Sequence, residues 1–83
     1  MFLYLIINKK LGTRYIGITD NIKRRLKEHN SKGKHFTERL SGEWHLLAFK
    51  EFLDLNEAKT EERRLKKSKN KKYIDWYFGI ERP

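Results

Sequence analysis

Two short apolar runs near the amino terminus, Phe2–Ile7 and Tyr15–Ile18, are separated by a polar stretch, Asn8–Thr13, that contains Gly12. Both runs are rich in strand formers, and so short a connection favours an antiparallel β-hairpin of Phe2–Ile7 with Arg14–Thr19. Gly17 lies inside the second strand, where the missing side chain leaves room for a close approach to the backbone. Thr19, Asp20 and Asn21 offer N-caps for a helix reaching His29 or Asn30, with Gly33 just beyond its end. Lys34–Glu43 reads as a polar, basic loop, and Trp44–Leu53 as a third strand. Asp54 starts a second helix running to about Ser68. Glu57 completes a capping box there, and Leu53 with Ala58 is placed as a hydrophobic staple. A last helix, Asn70–Phe78, buries Tyr73, Ile74, Tyr77 and Phe78, and Gly79 stops it. The predicted fold class is therefore α/β. A small three-stranded sheet with a β-hairpin is flanked by helices in the order ββαβαα, with residues 1–83 forming one domain.

Charge narrows the partner. Lys and Arg number 20 against 11 Asp and Glu, a formal net charge of +9, and the excess is clustered. One block is Lys23, Arg24, Arg25, Lys27, Lys32 and Lys34, opposed only by Glu28. The other spans residues 59–72 and includes Arg63, Arg64, Lys66 and Lys67, opposed only by Glu61 and Glu62. Such blocks attract polyanions through counterion release, so nucleic acid is the expected partner. No apolar run approaches the ~20 residues needed to span a bilayer, and no helix shows the bulky apolar face of an interfacial anchor. The chain has no cysteine, which excludes disulfides and thiolate zinc sites. Met1–Ile7 lacks the flanks of a signal peptide, so a cytoplasmic location is expected.

Several polar residues fall where apolar ones are due. In the first helix the stripe through Ile22 and Leu26 also takes in Arg25 and His29. In the second helix the stripe is Leu55, Ala58 and Leu65, and the position completing it is Glu62. Charged side chains rarely face inward unless paired or metal-bound. Two readings follow with equal weight: a structural Arg25–Glu62 ion pair, or a polar site between two helices. His35 and His45 lack metal-ligand spacing.

Taken together, these residues resemble the GIY-YIG nuclease superfamily. Phe2-Leu3-Tyr4 stands where the family has Gly-Ile-Tyr, and Tyr15-Ile16-Gly17 matches Tyr-Ile-Gly. The two tyrosines are 11 positions apart. Arg25 follows Tyr15 by ten residues, and His29 follows Arg25 by four. The segment from Arg24 to Asn30 is similar to the arginine helix of small stand-alone bacterial members, which are related to the amino-terminal nuclease domain of the excision-repair protein UvrC. Glu62 falls at the family's metal-binding glutamate, followed by Leu65-Lys66-Lys67.

The resemblance implies a metal-dependent endonuclease that hydrolyses phosphodiester bonds in repair or processing, on DNA rather than RNA. Phosphodiester hydrolysis needs an activated water, charge stabilisation and help for the leaving oxygen. Glu62 is a hard oxygen ligand that suits one Mg²⁺ or Mn²⁺ ion. Arg25 would hold the phosphate through its planar fork. The resemblance makes Tyr4 or Tyr15 the general base, with Tyr4 favoured and Tyr15 positioning the water. A phenol with a reference pKa of ~10 must first be lowered by a neighbouring cation or metal-bound water. His29 would support the tyrosines or relay a proton. Gly17, Lys23, Arg24, Lys27, Lys32, Lys34, Arg63, Lys66 and Lys67 are the candidate nucleic-acid contacts. The rival readings are a non-catalytic basic nucleic-acid-binding module and a protein-interaction domain.

Overall fold

The computed structural model describes residues 1–31 and 42–80. Among them the order is β1 (Phe2–Asn8), β2 (Thr13–Thr19), α1 (Ile22–Asn30), β3 (Trp44–Glu51), α2 (Leu55–Ser68) and α3 (Lys71–Phe78), which is the predicted ββαβαα. The three strands form one antiparallel sheet in the order β2-β1-β3. The hairpin turn is built by Asn8. Its carbonyl accepts from the Gly12 amide at 2.8 Å, and its side-chain oxygen accepts from the Leu11 amide at 3.2 Å. Gly12 has φ 71°, a left-handed conformation that glycine adopts at no steric cost.

Central β1 is buried through Leu3, Tyr4, Leu5 and Ile6. Successive side chains of a strand point to opposite faces, and the core divides accordingly. Leu3 and Leu5 pack with Ile16 and Leu65, against which α3 lays Tyr73, Ile74, Tyr77 and Phe78. Tyr4 and Ile6 pack with Trp44, joined by Tyr15 and Leu26. Each fully buried Leu or Ile stabilises the fold by about 1.5–3 kcal/mol.

Side-chain caps set the helix starts. Asn21 accepts from the Arg24 amide at 3.0 Å, Asp54 from Asn56 at 2.9 Å and Asn70 from Tyr73 at 3.1 Å. Each satisfies an amide that the first turn would leave unpaired. Asn30 then ties the end of α1 to the start of β3. Its amide nitrogen donates to the Trp44 carbonyl at 3.1 Å, and its oxygen accepts from the Trp44 amide at 2.7 Å.

Three expectations fail or lie outside the described residues. Leu53 is fully exposed, so it makes no staple with buried Ala58. The strand ends at Glu51 instead of Leu53, and Phe52 turns to the core while donating its amide to the Met1 carbonyl. Leu53 follows in the bend between β3 and α2 and is left to solvent. The predicted contacts Lys32 and Lys34, together with Gly33, lie outside the described residues.

Candidate active site

Tyr4 lies on the central strand directly opposite Gly17 on β2. A Cβ built on Gly17 would lie 2.6 Å from Tyr4 Cζ and closer still to its hydroxyl. The close approach that Gly17 permits is thus made by the Tyr4 phenol, which crosses the neighbouring strand where any other residue would block it. The Tyr4 hydroxyl reaches His29 Nε2 on α1 at 2.7 Å. Both residues are only 2% exposed. His29 sits among rings, with centroids 5.7 Å from Tyr4, 5.2 Å from Tyr15 and 6.3 Å from Trp44.

In front of this cluster lies a cleft of 560 Å³ beside the edge strand β2. Tyr4, Tyr15 and Gly17 form its floor, together with Ile18. Arg25 enters from α1, and α2 contributes Glu62, Arg63, Lys66 and Lys59. Four cations thus face one carboxylate, a balance suited to a phosphodiester. Of the predicted chemical residues, Tyr4, Tyr15, Arg25 and Glu62 share this cleft. His29 does not line it and meets it through the Tyr4 hydroxyl.

Arg25 and Glu62 form no ion pair with each other among the described residues. Arg25 donates to Glu28 at 3.0 Å, and Glu62 pairs with Lys66 at 3.3 Å. Burial opposes the Arg25 charge, but Glu28 and Tyr4 more than offset it, so the guanidinium pKa is raised and the group stays cationic. Lys66 also lies 5.2 Å above the Tyr15 ring. The Glu62 side chain is one-quarter exposed and is therefore reachable from solvent.

The other predicted contacts divide. Arg63, Lys66 and Gly17 are in the cleft, whereas Lys23, Arg24, Lys27 and Lys67 do not line it. Lys23 borders a separate apolar groove with Phe2, Leu46 and Phe49, and Arg24 is paired with Asp20. At 100° per residue these side chains point away from the Arg25 side of α1. Lys59 is an addition. It lies on one helix face with Glu62, Arg63 and Lys66 at spacings of three, four and seven, a pattern present in the sequence.

The Tyr4 phenol is pushed up to about 12, chiefly by burial, with Tyr15 and Glu62 adding and Arg25 opposing. A general base at neutral pH needs a lowered value, and burial in the core gives the opposite. Phenolate is then about one part in 10⁵ at pH 7. A raised pKa means the group stabilises the fold fully below pH ~10 and loses that contribution as pH rises toward 12. Absorbance titration of the phenols should therefore show one group ionising only near pH 12, coincident with unfolding, and Tyr4→Phe should remove it. A titration complete by pH ~10.5 in folded protein would contradict this environment.

A family model of the GIY-YIG catalytic domain matches residues 1–74, a span that includes every residue of the cleft. The chain belongs to the GIY-YIG catalytic-domain family. That family consists of phosphodiester-hydrolysing endonucleases, and the substrate of such a domain is nucleic acid. No curated protein and no solved structure matches the chain. No helix among the described residues is long and apolar enough to cross a membrane.

Gly17 is a steric requirement for the place of the Tyr4 ring beside His29. Gly17→Ala should displace the Tyr4 ring from His29. A misplacement of about 1 Å near the chemistry costs about 100-fold in rate. Nuclease assays beside a melting curve check this, and wild-type turnover in a folded Gly17→Ala protein would refute it.

Proposed function

We propose that this chain is a cytoplasmic, metal-dependent endonuclease that cuts DNA in repair or processing, using one Mg²⁺ or Mn²⁺ ion held by Glu62. The observation that carries the reading is the cleft itself, where two tyrosines, an arginine and a carboxylate face one space and a buried histidine hydrogen-bonds one of the phenols. DNA is preferred over RNA because the segment Arg24–Asn30 resembles the UvrC-related members. The cysteine-free composition suits a reducing compartment.

The donor set fits such an ion. Glu62 offers one hard oxygen, and among the described residues no group of three His, Cys, Asp or Glu could cage a metal. This matches an ion that keeps most of its waters and is completed by substrate phosphate, as Mg²⁺ commonly is. When bound, it supplies Lewis-acid stabilisation of the phosphoryl charge. Lys66 has to leave Glu62 first. Its side chain is half-exposed and free to swing, and such an i,i+4 pair is worth only ~0.3–0.5 kcal/mol.

The protein's own groups do the rest. Arg25, steadied by Glu28, holds a non-bridging phosphate oxygen and stabilises the charge that develops on it. Tyr15 orients the attacking water. Tyr4 acts as a relay, with no phenolate required beforehand. Its oxygen takes a proton from the water as its own proton passes to His29 Nε2. The water oxygen forms the new bond to phosphorus, the bond to the leaving oxygen breaks, and that oxygen takes a proton from solvent.

The test is a nicking assay on single-stranded, duplex and branched DNA and RNA, with Mg²⁺, Mn²⁺ or EDTA. Cleavage confined to the metal-containing reactions, and greater on DNA, is expected. No cleavage of any substrate by folded protein would leave the non-catalytic binding module as the reading.

A further inference from the structure

On α3, Tyr73, Ile74, Tyr77 and Phe78 pack against the core, but Trp76 does not and is 74% exposed. A single exposed aromatic is ordinary, but this one has an organised setting. Its indole stacks on the Tyr73 ring, with centroids 5.7 Å apart and planes 27° apart. Arg64 donates to the Tyr73 hydroxyl and lies 5.5 Å from the centroids of both Tyr73 and Tyr77. Lys72 precedes Trp76 by one helical turn and is exposed, whereas Lys69 and Lys71 border a separate hollow with Arg14, Ile16 and Ile74. The acidic residue of this helix, Asp75, is buried against Arg14, and Glu61 on α2 is paired with Arg64.

This surface is separate from the cleft. Arg64 reaches toward α3, whereas the cleft takes its α2 residues from Lys59, Glu62, Arg63 and Lys66. Trp76 also lies beyond residue 74, where the match to the GIY-YIG family ends.

We propose that the Trp76–Tyr73 stack is a platform for an unpaired base of the nucleic-acid substrate, with exposed Lys72 placed for an adjoining phosphate. The inference rests on the chain's being a nucleic-acid-binding protein. Every base has a π-face, and stacking on an aromatic side chain is worth ~1–3 kcal/mol per base. In a duplex those faces are already covered by neighbouring base pairs, so an open indole selects single-stranded or frayed segments. The substrate class is therefore nucleic acid carrying unpaired bases on the far side of α2 from the point of cleavage.

The experiment uses the 83-residue chain carrying Glu62→Gln, in EDTA, so that binding is read without cleavage. Trp44 is 1% exposed and Trp76 is 74% exposed, so quenching of the solvent-exposed emission reports Trp76. Oligothymidylate should quench this emission, and a blunt duplex of equal length should quench it far less. Adding Trp76→Ala should weaken single-strand affinity about 5- to 150-fold, the equivalent of one stacked base, and change duplex affinity little. Trp76→Phe should recover most of the loss. Unchanged single-strand affinity in Trp76→Ala overturns the proposal. So does an equal loss on duplex, or a change of oligomeric state on sedimentation, which would assign the surface to a second copy of the chain. Quenching without metal-dependent nicking would sink only the nuclease reading, and nicking without quenching would sink only the platform.

Discussion

Glu62→Gln is expected to abolish metal-dependent cleavage while nucleic-acid affinity holds steady or rises slightly. The amide keeps the shape of the side chain but removes the charge that would hold a divalent ion. It also removes the one carboxylate that the described residues place in a cleft whose cations are Arg25, Lys59, Arg63 and Lys66. The folded state should hardly notice. Glu62 pairs with a half-exposed lysine instead of with Arg25, so the melting temperature should move by less than about 4 °C. Arg25→Ala provides the contrast. In the proposed role of Arg25 it removes both a phosphate contact and an electrostatic donor, so binding should fall and the rate should drop roughly 100- to 1,000-fold. Both variants need parallel measurements of nicking, binding in EDTA and melting. If Glu62→Gln cleaves at the wild-type rate, the carboxylate is not the metal ligand.

The second large effect is on stability. Arg14 on β2 and Asp75 on α3 form an ion pair at 2.5 Å, with the side chains only 14% and 6% exposed. Removing one member of such a pair leaves a buried charge uncompensated and typically costs about 3–5 kcal/mol. That is a large share of the ~5–15 kcal/mol that holds a domain together. Asp75→Ala should therefore lower the urea midpoint severely or leave the protein unfolded at 37 °C. Among the described residues Arg14 Nε has no hydrogen-bond partner, so the ion pair is imperfectly satisfied there and an apolar replacement has room to improve on it. Arg14→Met combined with Asp75→Leu should recover most of the loss. A cost below ~1 kcal/mol for Asp75→Ala would mean that water reaches the pair and that it does not secure α3.

What the sequence made legible was mostly local. The hairpin and the capping positions depend on a few consecutive residues. Asn21, Asp54 and Asn70 cap within three positions, so their role can be read from spacing. The choice among Thr19, Asp20 and Asn21 turned on one more local contact, because Thr19 Oγ1 is engaged by the Asn21 amide. Contacts between distant residues were harder to see. The Arg14–Asp75 pair joins residues 61 apart, and no periodicity marks it. Gly17 signalled that space was needed but not that a tyrosine of the same chain fills it. The Arg25 and Glu62 positions were visible because charge interrupted an apolar stripe. Whether the two groups touched depended on Glu28 and Lys66, nearer partners on their own helices. Lys59 was legible by the same spacing that marked Glu62, and had only to be placed on that face.

Tyr4 belongs at once to the cleft and to the buried cluster of Ile6 and Trp44. A chain this small has little stability to spare, and changes to such a residue cannot alter chemistry without also loosening the core. Adaptation to new substrates would meet little resistance at Lys59, Arg63 and Lys66, whose exposed stems can vary while the sheet beneath keeps its packing. Laboratory evolution of this domain should accordingly accumulate its early tolerated changes along that face of α2 and leave the phenol and the imidazole behind it untouched.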